Sequence, residues 1–214
     1  GSCAVIRQGE VGVKRKFGKL ETQGLGPGMY SVNPFFARML KTSVQTENLE
    51  VQLRLPSKEG LTINSEISIL YSVQKDKVPQ IFSEIGLDYE NTAILPVFRS
   101  AAADVAANFM AKDMHSGQRS VIEAQIKKRM EEVLAGRGFI IEQVLMKSIE
   151  LPTELSRAIE RKLEAEQESQ RMEFVLDRER REAERRKIEA EGTRDAQQIL
   201  SQGLSKEIIE LRSI

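Results

Sequence analysis

The 214-residue chain has one cysteine, one histidine and no tryptophan, and each scarcity removes a class of function. A single thiol, Cys3, leaves no internal disulfide framework and no cysteine quartet for zinc. A single imidazole, His115, removes most metal sites and most general-base schemes. Aromatic residues make up only 5% of the chain, too few for a base-stacking platform. The 32 basic and 32 acidic residues cancel, so no net field draws in nucleic acid or an acidic substrate. No apolar run reaches the roughly 18 residues a membrane helix needs, and no secretory signal pattern is present. A membrane anchor, if there is one, is expected before residue 1 or as a chemical attachment. No nucleophile is paired with a base, so neither catalysis nor a cofactor is expected.

What is present divides at Pro152. Before it, the sequence reads as a core-forming α+β domain. Ala4–Ile6 and Val11–Phe17, separated by Gln8-Gly9-Glu10, suggest an opening hairpin. Gly24-Leu25-Gly26-Pro27-Gly28 is a turn cluster. It lacks the spacing and the following helix of a dinucleotide loop, so a structural turn is expected there. Met29–Val32 is a short strand stopped by Asn33-Pro34. Val51, Leu53 and Leu55 alternate with polar residues up to the turn Ser57-Lys58-Glu59-Gly60. Ile63, Ile67, Ile69, Tyr71 and Val73 alternate after it, which predicts an antiparallel sheet with one buried face. The period then changes. Lys77–Ile85, Asn91–Met110 and Ser116–Leu134 predict helices. The second carries Ile94, Val97, Ala101, Val105, Ala106 and Phe109 on its apolar stripe, the third Ile122, Ile126, Met130, Val133 and Leu134. Asp113 and Ser116 are candidate helix caps, and His115 between them reads as a solvated linker residue. Phe139–Ile149 returns to β character.

From Pro152 to Glu191 there is neither glycine nor a further proline, and more than half of the residues from Glu154 to Glu191 are charged. Opposite charges recur four apart, as in Lys162/Glu166, Asp177/Arg181, Arg178/Glu182, Glu182/Arg186 and Arg185/Glu189. Several such pairs, each worth about 0.2–0.5 kcal/mol, help an exposed helix persist. A thin apolar seam remains. Ala158, Ala165 and Met172 are seven apart, and Leu176, Ala183 and Ala190 repeat that spacing after a step of four, a stutter that unwinds a left-handed coiled coil. Gly192 interrupts the seam, and Ile199, Leu200, Leu204 and Ile208 form a more apolar tip. The expected units are residues 4–151, a charged coiled-coil helix over 152–191, and an oligomer-contacting helical segment over 192–214. The pattern is still running at Ile214, so the natural chain is expected to continue.

Two further features have competing readings. Phe35 and Phe36, with Met39 and Leu40 beside Arg38 and Lys41, suit either a membrane interface or ordinary packing. Gly1-Ser2-Cys3 matches the end of a bacterial lipidation box, with Cys3 as the acylated residue, and is equally a common remnant of cloning.

The motifs also form a series. Gly26-Pro27-Gly28 leads to Asn33-Pro34-Phe35. Ser57-Lys58-Glu59-Gly60, Gly86-Leu87-Asp88-Tyr89, Leu95-Pro96 and Gln118-Arg119 come next, and Ala165-Glu166-Gln167 and Glu189-Ala190-Glu191-Gly192 close it. From Val5 to Gly203 their order and spacing resemble the prohibitin branch of the SPFH (Band 7) family of stomatins, prohibitins and flotillins. The resemblance implies an SPFH domain lying on a membrane, followed by a coiled-coil helix. It implies side-by-side assembly with copies of itself or a paralogue into rings or cages that enclose a membrane patch, commonly around a membrane-bound AAA protease. A bacterial cell membrane is expected over the mitochondrial inner membrane, and the resemblance carries no catalytic residues. The family's usual N-terminal membrane helix is not in this chain, and Val44–Arg54 diverges. An adaptor or inhibitor that binds a membrane protease through the SPFH domain, with assembly incidental, is the competing expectation.

Overall fold

The computed structural model describes residues 1–213, so Ile214, the last residue of the expected tip segment, lies outside the described residues. The chain forms two compact units, Gly1–Leu155 and Ser156–Ile214.

In the first unit eight strands form three antiparallel sheets: β1 (Ser2–Ile6) with β4 (Gly28–Val32); β2 (Glu10–Lys16) between β3 (Lys19–Leu20) and β5 (Ala37–Ser43); and β6 (Glu47–Pro56), β7 (Thr62–Val73) and β8 (Phe139–Glu150) in that order. The β6–β7 hairpin follows the alternation. Ile63, Ile67, Ile69, Tyr71 and Val73 are all buried, and the turn is closed by Gly60 N–H donating to the Ser57 carbonyl at 3.0 Å.

The opening hairpin does not form. The chain does reverse at Arg7–Glu10, but β1 pairs with β4 and β2 pairs with β5. The reason is that both edges of β2 are taken, one by β5 and the other by β3 and by Leu25, which exchanges two backbone hydrogen bonds with Gly12. A Cβ there would overlap the end of the Ile6 side chain and stand 3.0 Å from the Met39 sulfur. β1 therefore meets β2 through the Ile6 side chain laid over Gly12, where a larger residue would not fit.

Helices α1 (Val78–Glu84), α2 (Leu95–Ala106), α3 (Ala111–His115) and α4 (Arg119–Leu134) complete the unit. A π-helical turn, Glu90–Ile94, precedes α2, and Leu95 N–H bonds the Glu90 carbonyl five residues back. Pro96 accounts for it: with no N–H to offer the Thr92 carbonyl, it favours a wider turn. The helix expected over Asn91–Met110 stops at Ala106. There Asn108 and Phe109 N–H shift to three-back carbonyls, and the Asn108 side chain takes the Asp104 carbonyl at 3.0 Å. Phe109 is therefore only half-buried. Val133, expected on the apolar stripe, is exposed, because α4 buries Ile122, Ile126, Met130 and Leu134, each four apart. Neither expected cap forms. Asp113 lies within α3 and Ser116 donates to the Lys112 carbonyl, while the first N–H of α3, at Ala111, is taken by Glu59 at 2.8 Å from the β6–β7 turn. α2 and α4 bury Phe98, Ala102, Ile122 and Ile126 in one core with the sheet residues.

The second unit is helical. α5 runs from Thr153 to Arg212 without a break, and buries none of its described side chains. Gly192 does not end it. A glycine costs an exposed helix about 1 kcal/mol, which the surrounding helix-formers outweigh.

Candidate functional site

Two surfaces stand out, one in each unit. On the first, the two-residue loop Phe17-Gly18 joins β2 to β3 with both residues at positive φ, 49° and 78°. That geometry matches the right-handed strand twist but is costly for a phenylalanine. Phe17 is nevertheless 79% exposed. Its N–H donates to the Phe36 carbonyl at 3.0 Å, and its ring lies 5.3 Å from that of Phe36, which in turn is 6.5 Å from Phe35. Asn33 builds the other half. Its Oδ1 accepts from Phe35 N–H at 3.1 Å, and its carbonyl accepts from Phe36 and Ala37. Phe35 and Phe36 are 87% and 55% exposed. Three rings thus gather at one rim of the β3–β2–β5 sheet, in water.

The same rim is basic. Arg15 stands directly opposite Arg38 across β2 and β5, a like-charge pair that normally destabilises a sheet. Lys14 lies over the Tyr30 ring and Lys16 pairs with Glu21 at 3.1 Å. Of the four residues that suit either a membrane interface or ordinary packing, the structure exposes Phe35 and Phe36. Met39 packs over Gly12, and Leu40 is half-buried against the main core. Phe17 was the residue missed by the sequence reading. Its signal was Lys16-Phe17-Gly18-Lys19, a two-residue turn with an aromatic where asparagine or aspartate is usual. Cys3 is exposed on β1, on the same face as Val5 and Met29, which are cross-strand partners and both exposed.

Elsewhere in this unit the polar groups tie elements together. Tyr71 donates to the Glu90 carboxylate, joining β7 to the π turn, and the Thr42 and Tyr89 hydroxyls bond at 2.7 Å. Burial first, and the adjacent Glu90 second, push the Tyr71 phenol well above its ordinary range, so it stays a neutral donor. His115 is exposed. No cluster of metal-ligating side chains occurs among the described residues, and none of their helices is long and apolar enough to cross a membrane.

On the second unit, Ala158, Ala165, Met172, Leu176, Ala183 and Ala190 are all exposed along one side of α5, at about 100° of rotation per residue. Leu204 and Ile208 continue that side. Leu200 lies about a quarter-turn away, and Ile199 falls on the opposite side. Three of the expected four-apart pairs are ion pairs: Arg181 with Asp177 at 2.9 Å, Arg185 with Glu189 at 2.8 Å and Arg186 with Glu182 at 3.4 Å.

An α+β unit with an aromatic, basic rim, continued by a long charged helix, is an architecture also read by direct comparison. The chain belongs to the SPFH domain / Band 7 family, whose model matches residues 4–192. Its relatives place it on the prohibitin branch. Prohibitin-1 of Schizosaccharomyces pombe is 25% identical over 187 residues, which is 87% of this chain and 66% of the relative. Prohibitin-2 of Mus musculus is 24% identical over 192 residues, 89% of this chain and 64% of the relative. Prohibitin 1 of Gallus gallus is 23% identical over 202 residues, 93% and 74% respectively. The chain thus spans about two thirds of the length of the first two of these relatives.

Proposed function

We propose that this chain is a protomer of a membrane-associated, non-enzymatic scaffold. The observation that carries the reading is α5: sixty residues of helix that bury nothing, yet expose Leu163, Phe174, Ile188, Leu204 and Ile208. Apolar surface on this scale marks an interaction site, and a helix without tertiary packing is marginal in water. Copies of the same chain, or of a paralogue, supply the missing partners, and side-by-side packing of many helices yields a ring or cage. The first unit meets the membrane with Phe17, Phe35 and Phe36 at the headgroup level, while Arg15, Arg38 and their basic neighbours face anionic lipid. The enclosed client is a membrane-bound AAA protease. Sedimentation and electron microscopy of the membrane-extracted protein test this reading: large closed particles are expected, and a stable monomer at micromolar concentration overturns it.

The adaptor reading also has an observation in its favour. An open groove of about 720 Å³ lies between α2 and α4, lined by Pro96, Val97, Asp104, Arg129 and Val133. Replacing Leu200 and Leu204 with lysine separates the two readings. It abolishes protease control if assembly is the function, and leaves it intact if the groove alone binds the protease.

A further inference from the structure

The first unit holds two arginines side by side, Arg15 on β2 and Arg38 on β5. Two residues further along both strands, Phe17 N–H bonds the Phe36 carbonyl. Hydrogen-bonded pairs alternate along an antiparallel ladder, so Arg15 and Arg38 form one too, with Cα atoms about 5.5 Å apart. Cross-strand partners share a face, so both side chains stand on the side of the sheet that carries Val13, Leu20 and Leu40. Those neighbours are apolar. Glu21, the acid next to Leu20, pairs with Lys16 on the opposite side at 3.1 Å. Among the described residues neither arginine forms an ion pair. Arg38 is exposed and Arg15 half-buried.

Their height above the rim is fixed as well. Each lies two residues, about 7 Å, back along its strand from an aromatic ring, Arg15 from Phe17 and Arg38 from Phe36. The apolar side of an interfacial surface sinks about 5–10 Å into the boundary between headgroups and acyl chains. With the rings at that depth, the guanidiniums stand among the lipid phosphates.

We propose that Arg15 and Arg38 together clamp the phosphate of a phosphomonoester lipid, with a headgroup of the phosphatidic acid kind. The proposal rests on the membrane reading and names the lipid its basic site takes. Each guanidinium presents parallel N–H groups that grip two oxygens of one anion. A phosphomonoester has three terminal oxygens and carries close to two negative charges near neutral pH, enough for both forks and both charges. A phosphodiester headgroup has two free oxygens and one charge, so it satisfies one arginine and leaves the other unmatched. The bound phosphate also relieves the like-charge repulsion that this strand pair bears in the free protein. Lys14, Lys16 and Lys19 lie on the other side of the sheet and attract any anionic lipid without choosing among headgroups.

Flotation of the full chain with two kinds of phosphatidylcholine vesicle tests this. One kind carries phosphatidic acid and the other phosphatidylglycerol, with contents adjusted to equal zeta potential. The parent is expected to bind the first several-fold more tightly. Arg15→Gln and Arg38→Gln should each remove most of that preference. Lys19→Gln, which loses the same charge elsewhere on the rim, should weaken binding to both vesicles equally and keep the preference. Each arginine variant relieves a like-charge contact, so its denaturation midpoint should not fall, and a fall would mark the pair as structural and overturn the clamp. Equal binding of the parent to both vesicles overturns it while the membrane reading stands. A preference that survives in both arginine variants overturns it too. So does release of the bound chain by millimolar glycerol 3-phosphate, which would make the ligand a free phosphate ester. No binding to either vesicle removes the membrane reading and the clamp together.

Discussion

Phe17 occupies a backbone region that costs a non-glycine residue about 1–2 kcal/mol, and its ring is mostly in water. Its contacts in the isolated fold are confined to the largely exposed Phe36, which is how a residue kept for an external contact behaves. Phe17→Gly should therefore raise the stability of the first unit by up to about 1 kcal/mol in a denaturant titration. The same variant should bind anionic liposomes more weakly, and unchanged co-sedimentation would separate Phe17 from the membrane contact. Glu59 is a second residue whose role is local and measurable. Burial resists its charge, but hydrogen bonds from Ser57 and the Ala111 N–H, with Lys112 nearby, hold its carboxyl below the ordinary range. A depressed folded-state value stabilises the protein above the unfolded pKa of about 4.3 and loses that contribution as pH falls through the folded value. Glu59→Gln is expected to lower the melting temperature slightly at pH 7 and to flatten its decline below about pH 5.

At the level of elements, patterning was legible wherever one strand or helix face decides burial. The alternation through Val51–Val73 and the four-residue spacing of Ile122, Ile126, Met130 and Leu134 both emerge in the structure. Partner choice was not legible, because it depends on contacts between distant segments. With both edges of β2 taken by β5, β3 and Leu25, β1 pairs with β4, and the carboxylate that caps α3 comes from Glu59, some fifty residues earlier. The aromatic rim was half legible. Asn33-Pro34 announced the turn that presents Phe35 and Phe36, whereas the approach of Phe17 required the β2–β5 register. Gly192 interrupts the apolar seam without ending the helix, because glycine is a helix stop only when its neighbours allow one. Nothing lies within 4 Å of where its Cβ would stand. Gly192→Ala is accordingly expected to stabilise α5 in the free chain by about 1 kcal/mol, read as a higher midpoint in thermal circular dichroism. An unchanged midpoint would place a break at this position in solution.

Across the whole molecule, the two units are stabilised in different ways. Gly1–Leu155 has a continuous core linking sheets and helices. Among the described residues, Ser156 onward buries no side chain and carries a few exposed ion pairs, each worth well under 1 kcal/mol. This asymmetry sets how long an unassembled copy survives. A helix that opens at little cost is open to proteolysis, and α5 offers arginine or lysine along most of its length. Brief trypsin treatment of the free chain should cut first near Arg157 and leave the first unit whole, whereas a helix flanked by neighbours should resist. On the proposed scaffold reading, orphan copies would then be short-lived, and the level of the protein in a cell would follow the number of places open in its assemblies.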